Sequence, residues 1–249
     1  MGKLKDAILG GTNEGKHLQA YAIEGHLNQL FHSDKGLEEV RAGLHASAVI
    51  KGESSLCYRE QVLSLLFKMN QRVNSTGLLK IFAAGNSIHE KWQRLFVQEG
   101  VSCGIEERAF SDEYMLYFTP DAKVRLGGKK YVCEIKSQNT YAFKKAKSHP
   151  SGEIQCQLYM HMNGIPRGFV LTEDKNDQTI KCYMIDYDYK KVLPYLKRIH
   201  IIIYLLSQYI PDQEDSLPEG ICNSCHDKKA ESCPMRDACW NQGMGRINL

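Results

Sequence analysis

The sequence predicts a mixed α/β core with a small cysteine-rich annex at its C-terminus. Three observations carry that reading. Hydrophobic periodicity changes along the chain from helical to alternating and back, Gly127-Gly128 separates two strand-like segments at hairpin spacing, and the stretch from Ile221 onward is rich in cysteine but poor in large aliphatic residues. Helices and strands in this order bury their apolar faces against one another, whereas a tail with so little apolar surface needs a staple to stay folded.

The elements follow from the pattern. Residues 1–50 are mixed and mostly helix-prone, with a break at Gly10-Gly11. Tyr58–Met69 reads as a short amphipathic helix, with Leu63, Leu66 and Phe67 at helical spacing. A second helix runs from about Leu78 to Gln98 on the stripe Ile81, Ile88, Trp92, Leu95 and Phe96, and Gly100 stops it. Three strands follow, Ser102–Phe110, Tyr114–Val124 and Lys130–Ile135, the last two joined at Gly127-Gly128. A helix over Gly152–Met162 comes next, then strands Gly168–Glu173 and Ile180–Ile185, and a long helix over Tyr189–Tyr209. The resulting division is an N-terminal helical region over 1–77, a core over 78–210 and a cysteine-rich tail over 211–249, with no internal repeat.

Composition bounds the function. With 249 residues, 43% hydrophobic and 24% charged, the chain buries a sizeable core and is not disordered. A net charge of +3 does not by itself demand a polyanionic partner. The longest apolar run, Ile201–Leu206, is far short of the roughly 20 residues a membrane span needs. The opening Met1–Asp6 is not followed by a secretory pattern, so a cytoplasmic protein with no membrane is expected. Nine cysteines in such a compartment favour metal over disulfides where they cluster. Cys103, Cys133, Cys156 and Cys182 stand singly and read as small buried hydrophobes.

One constellation carries chemistry. Asp121 follows Pro120, and Glu134-Ile135-Lys136 lies thirteen residues on. Residues i and i+2 of a strand share a face, so Glu134 and Lys136 project together, and pairing through the glycine hairpin brings Asp121 beside them. Two carboxylates offer hard oxygen ligands to Mg²⁺ or Mn²⁺. A bound cation activates water and neutralises charge on a phosphate, with the ammonium assisting. A Glu-x-Lys pair alone is ordinarily a solvated charge pair, but here it sits in the otherwise apolar Tyr-Val-Cys-Glu-Ile-Lys.

At these residues the chain resembles the PD-(D/E)XK nucleases in their RecB-like branch. Phe118-Thr119-Pro120-Asp121 is similar to the acidic motif and Glu134-Ile135-Lys136 to the E-x-K motif. Gly85-Asn86-Ser87-Ile88-His89-Glu90 resembles the branch's helix motif, and Gln155-Cys156-Gln157-Leu158-Tyr159 its Q-x-x-x-Y motif. Pro120-Asp121 stands where this branch often has Gly-x-x-Asp. The resemblance implies a restriction-endonuclease-like core, with a central mixed sheet flanked by helices. It implies Asp121, Glu134 and His89 as ligands of Mg²⁺ or Mn²⁺, the Ile135 carbonyl completing the set, Lys136 assisting the water, and Gln155 and Tyr159 contacting DNA. Taken alone, His89 is an ordinary helix histidine, and Gln155 and Tyr159 are an ordinary i, i+4 pair.

The tail reads Cys222-Asn223-Ser224-Cys225, then Cys233-Pro234-Met235-Arg236-Asp237-Ala238-Cys239. Four tail thiols can hold a structural Zn²⁺. Alternatively, Cys57 and three of them can hold a 4Fe–4S cluster. The second reading resembles the iron–sulfur members of the branch, in which one cysteine precedes the core and three follow it, and Leu56-Cys57-Tyr58-Arg59 resembles the leading Cys-x-Arg. The tail departs from the usual C-x₂-C-x₅-C by one extra cysteine and a longer spacer, so the spacing does not single out the spare among the five, and Cys222 or Cys225 is the expectation. Either metal clips the tail and couples to folding.

Between residues 122 and 147 eight basic residues, among them Lys123, Lys144 and Lys145, stand against a single acid, Glu134. Such a stripe beside a metal site suits a phosphate backbone, though lysine loops are often merely solvated. Tyr141 and Phe143, interleaved, are candidates for stacking on unpaired bases, and Arg59 for lining the strand's path. The sequence reading is therefore a metal-dependent DNA exonuclease acting on single-stranded or end-accessible DNA, of phage replication, recombination or CRISPR-type end processing by analogy. Host cytoplasm would be its place if phage-encoded, with a homo-oligomer or a recombination or replication protein as a further partner. Two rivals stand beside it: a non-catalytic nucleic-acid-binding protein with a zinc knuckle, and a hydrolase of small phosphoesters.

Overall fold

A computed structural model describes residues 44–67, 76–211, 213, 216–231 and 233–240. The expectations for residues 1–43, including Gly10-Gly11, and for Met69 fall outside the described residues. The chain divides into two compact units, residues 1–39 with 72–84, and residues 40–71 with 85–249. Of the first, the described part is residues 76–84, the opening of a helix; everything below concerns the second.

The described elements are β1 (Leu44–His45), α1 (Ala46–Val49), α2 (Tyr58–Leu66), α3 (Thr76–Gln98), β2 (Ser102–Ile105), β3 (Ala109–Ser111), β4 (Leu116–Phe118), β5 (Ala122–Leu126) and β6 (Lys129–Gln138). They continue with α4 (Thr140–Lys145), α5 (Pro150–Asn163), β7 (Arg167–Asp174), β8 (Ile180–Asp186), α6 (Tyr189–Ser207), α7 (Lys228–Glu231) and α8 (Arg236–Cys239). Two mixed sheets result, a small one ordered β1-β4-β3 and a larger one ordered β2-β5-β6-β7-β8. No described helix is long and apolar enough to cross a membrane.

The first two expected strands each split, and their halves go to different sheets. Glu106 takes φ +44°, which ends β2 before Ala109. Thr119-Pro120-Asp121 separates β4 from β5, as a proline without an N–H requires inside a ladder. The expected glycine hairpin forms as read. Leu126 pairs with Lys129 across Gly127 and Gly128, and both glycines have positive φ, +55° and +76°, as a two-residue primed turn demands. The long central strand β6 then pairs in parallel with β7, with α4 and α5 forming the crossover.

Each face of the large sheet is covered differently. Ala122, Val124, Cys133, Ile135, Phe169 and Leu171 pack with Ile88, Trp92 and Phe96 of α3. On the opposite face Val132 and Val170 join Cys156, Tyr159 and Met160 of α5 and Val192, Leu196, Ile199 and Ile202 of α6. Gly168 lets α5 settle on the sheet: a Cβ there would lie 2.5 Å from Cys156 Sγ, 2.8 Å from Met160 Sδ and 2.9 Å from Val132 O. Glu173 is buried on the α3 face and takes Lys91 Nζ and Trp92 Nε1, each at 2.6 Å.

Two of the four isolated cysteines differ from the sequence reading. Cys133 and Cys156 are buried, but Cys103 and Cys182 are exposed, because they lie on β2 and β8, the two edges of the larger sheet.

Candidate active site

The ladder puts Ala122 opposite Cys133, so Asp121, one residue before β5, falls beside Glu134. Its carboxylate is held from two sides. The amide of Ile135 donates to Asp121 Oδ2 at 2.6 Å, and His89 Nδ1 lies 3.4 Å from Oδ1. The carbonyl of Asp121 accepts from Gln93 Nε2 at 3.1 Å, and Gln93 also reaches Glu106. Gln93 is a residue the sequence reading missed. The signal was its i+4 spacing from His89, which puts both on the side of α3 facing the acidic turn.

Glu134 is 1% exposed, and Lys136 Nζ donates to its Oε1 at 2.6 Å. Its Oε2 is buried with no hydrogen-bond partner. Burial first, and then the charge of Asp121, push the Glu134 carboxyl up to about 8 against the opposing charges of Lys136 and His89. On His89, burial lowers the pKa, but the hydrogen bond to Asp121 and the charges of Asp121 and Glu134 outweigh it, and the net shift is upward.

Lys136 is braced from α5. Its Nζ donates to Gln155 Oε1 at 3.1 Å, and Gln155 Nε2 donates to the hydroxyl of Tyr159 at 2.9 Å. Tyr159 is 5% exposed. A path of hydrogen bonds thus runs from the ammonium through Gln155 to the hydroxyl of Tyr159.

Other nominated residues lie elsewhere or are engaged. Lys123 is ion-paired with Glu107. Lys144 is exposed, and Lys145 Nζ sits 4.1 Å above the Tyr141 ring, which is 70% exposed. Phe143 is buried beneath Lys181, so it is not available to stack on a base. Arg59 lines a cavity of about 70 Å³ together with Cys57, Cys222, Cys233 and Cys239. Cys57 caps α2, its Sγ accepting from Glu60 N at 3.4 Å. Cys225 is not part of the lining. Among the described residues no three His, Cys, Asp or Glu side chains are grouped tightly enough to hold a metal ion as placed.

No protein-family profile matches the chain, and no curated protein matches it. Among solved structures it is similar to SSO0001, at 15% identity and TM-score 0.47, over 88% of this chain and 96% of that one. It is also similar to an alkaline exonuclease from Laribacter hongkongensis, at 17% identity and TM-score 0.46, over 66% of this chain and 88% of that one. The same exonuclease in complex with dAMP gives 18% identity and TM-score 0.46 over the same shares.

Proposed function

We propose that this protein is a metal-dependent DNA nuclease, an exonuclease acting on single-stranded or end-accessible DNA. The observation that carries the reading is the meeting of Asp121, Glu134 and Lys136 at one turn of one sheet, with Glu134 Oε2 buried and lacking a protein partner. Asp121 adds its charge to the burial that holds the Glu134 carboxyl above its ordinary range, and a divalent cation relieves that repulsion with the hard oxygen ligands it prefers. Asp121 and Glu134 would hold Mg²⁺ or Mn²⁺, with His89 and the carbonyl of Ile135 completing the set. When bound, such a cation lowers the pKa of a coordinated water and neutralises charge on the phosphate.

The chain's own residues do the rest. Lys136 presents its ammonium to the phosphate oxygens, and Gln155 and Tyr159 fix its direction. Exposed Lys144 and the Tyr141–Lys145 stack offer a cationic and aromatic flank to the strand. The preference for DNA with free ends rests on the RecB-like resemblance.

In the annex the thiols favour an iron–sulfur cluster over zinc. Cys57, ahead of the core, lines one cavity with three tail cysteines, the one-plus-three arrangement that the resemblance implies for a cluster. The ligand set would be Cys57, Cys222, Cys233 and Cys239, with Cys225 as the spare.

The test is cleavage of 5′- and 3′-labelled linear oligonucleotides and a circular single strand, each with Mg²⁺, Mn²⁺ or EDTA. Metal-dependent shortening of the linear strands, lost in Lys136→Ala, is expected. Binding without cleavage in every metal would overturn the reading.

A further inference from the structure

His149 stands at the N-cap of α5, and its Nδ1 accepts the backbone N–H of Gly152 at 3.2 Å. Gly152 is wedged between this ring and the sheet: a Cβ there would lie 3.0 Å from His149 Nδ1 and 3.1 and 3.3 Å from the Val170 methyls. Val170 is the register partner of Glu134. One turn further along the helix, Gln155 accepts from Lys136. The imidazole and Val170, the sheet neighbour of Glu134, thus flank Gly152 from two sides. Burial, then the charge of Lys136, lower the pKa of His149, while its own backbone and then Glu153 oppose them.

An Nδ1 that accepts a backbone N–H carries no proton, so the neutral ring holds its proton on Nε2, on the other side of the ring from the helix. Capping alone does not call for histidine, since Asn, Asp, Ser and Thr cap better. We propose that the Nε2–H of His149 donates to a phosphate oxygen of the DNA strand presented to Asp121, Glu134 and Lys136. The preceding segment supplies exposed Lys144 and Lys147, and the helix end that His149 caps carries the positive end of the α5 dipole. This inference rests on the nuclease reading and assigns a strand-binding residue that reading does not use.

His149→Asn separates the two roles, because Asn keeps a cap acceptor and removes the Nε2–H. Binding of a fluorescent single-stranded oligonucleotide is measured in EDTA, and kcat and KM with Mn²⁺. A hydrogen bond to a charged phosphate predicts a rise in Kd and KM of about 10-fold or more, with the melting temperature unchanged. Wild-type Kd and KM in this variant would overturn the proposal. If His149→Asn melts early, nitrogen NMR of the wild-type ring decides: an Nε2–H tautomer that shifts on adding oligonucleotide supports the proposal, and an unmoved resonance overturns it. Wild-type protein that neither binds nor cleaves DNA sinks the nuclease reading and this inference together, an outcome distinct from binding that ignores residue 149.

Discussion

The backbone amide of Ile135 donates to Asp121 Oδ2 at 2.6 Å, so the acid on one arm of the hairpin is aimed by the strand that bears Glu134 and Lys136. The register of the glycine turn sets this geometry before any cation binds. Asp121→Asn keeps an acceptor for the amide and removes the charge. It is expected to retain the circular dichroism of the wild type and lose at least about 10³-fold in kcat, with Lys136→Ala losing a comparable factor. Single-turnover cleavage of a labelled strand measures both.

Glu134 makes the stability of the protein depend on pH. Its folded pKa, about 8, lies above the ordinary 4.5. The stabilisation from holding it protonated is therefore complete below about pH 4.5 and is lost as the pH rises through about 8. In EDTA the melting temperature should fall between pH 5 and 8.5 by at least about 4 °C relative to Glu134→Gln. Mn²⁺ should flatten that slope, because a cation binds the deprotonated form. Parallel slopes for the two proteins in EDTA would contradict this account.

The brace through Gln155 acts on Lys136. Gln155→Leu removes both the acceptor for the ammonium and the donor to Tyr159. A fall of about 10-fold to 100-fold in kcat with a nearly constant KM is expected, since the loss concerns orientation at the reacting phosphate. Tyr159→Phe should move kcat in the same direction by less.

The annex is open to a direct assay. After anaerobic purification, Cys57→Ser, Cys222→Ser, Cys233→Ser and Cys239→Ser should each lose iron and visible absorbance, while Cys225→Ser keeps both. Stoichiometric zinc without iron in the wild type would replace the cluster with a knuckle.

Much of this site could be read from the chain. The Gly127-Gly128 turn fixed a register that could be counted, so the meeting of Asp121 with Glu134 followed from spacing alone. What escaped depended on backbone torsion and distant packing. Nothing local marks Glu106 for positive φ, whereas the break at Thr119-Pro120-Asp121 was marked by its proline. Cys103 and Cys182 looked buried because their neighbours are apolar, but edge position exposes them. Phe143 looked available for a base because its neighbours are lysines, yet it is covered by Lys181 from a strand far along the sequence. Gln93 was signalled only by its i+4 spacing from His89, and its contact with the Asp121 carbonyl shows once α3 lies against the acidic turn.

Buried Glu173 is a structural counterpart to the site. Removing its carboxylate leaves Lys91 and Trp92 without their acceptor on the α3 face. Glu173→Ala should cost about 3 kcal/mol in denaturant unfolding, with the cleavage rate of the surviving folded fraction unchanged.

Gly168 connects the two kinds of defect. No atom of it belongs to the site, yet any side chain there forces α5 outward against Cys156 and Met160. That helix carries Gln155, so a small outward shift would slacken the tether on Lys136 well before the protein unfolds. A screen for inactive variants would then recover position 168 among the catalytic residues, and only a structure would reveal that it acts as a shim.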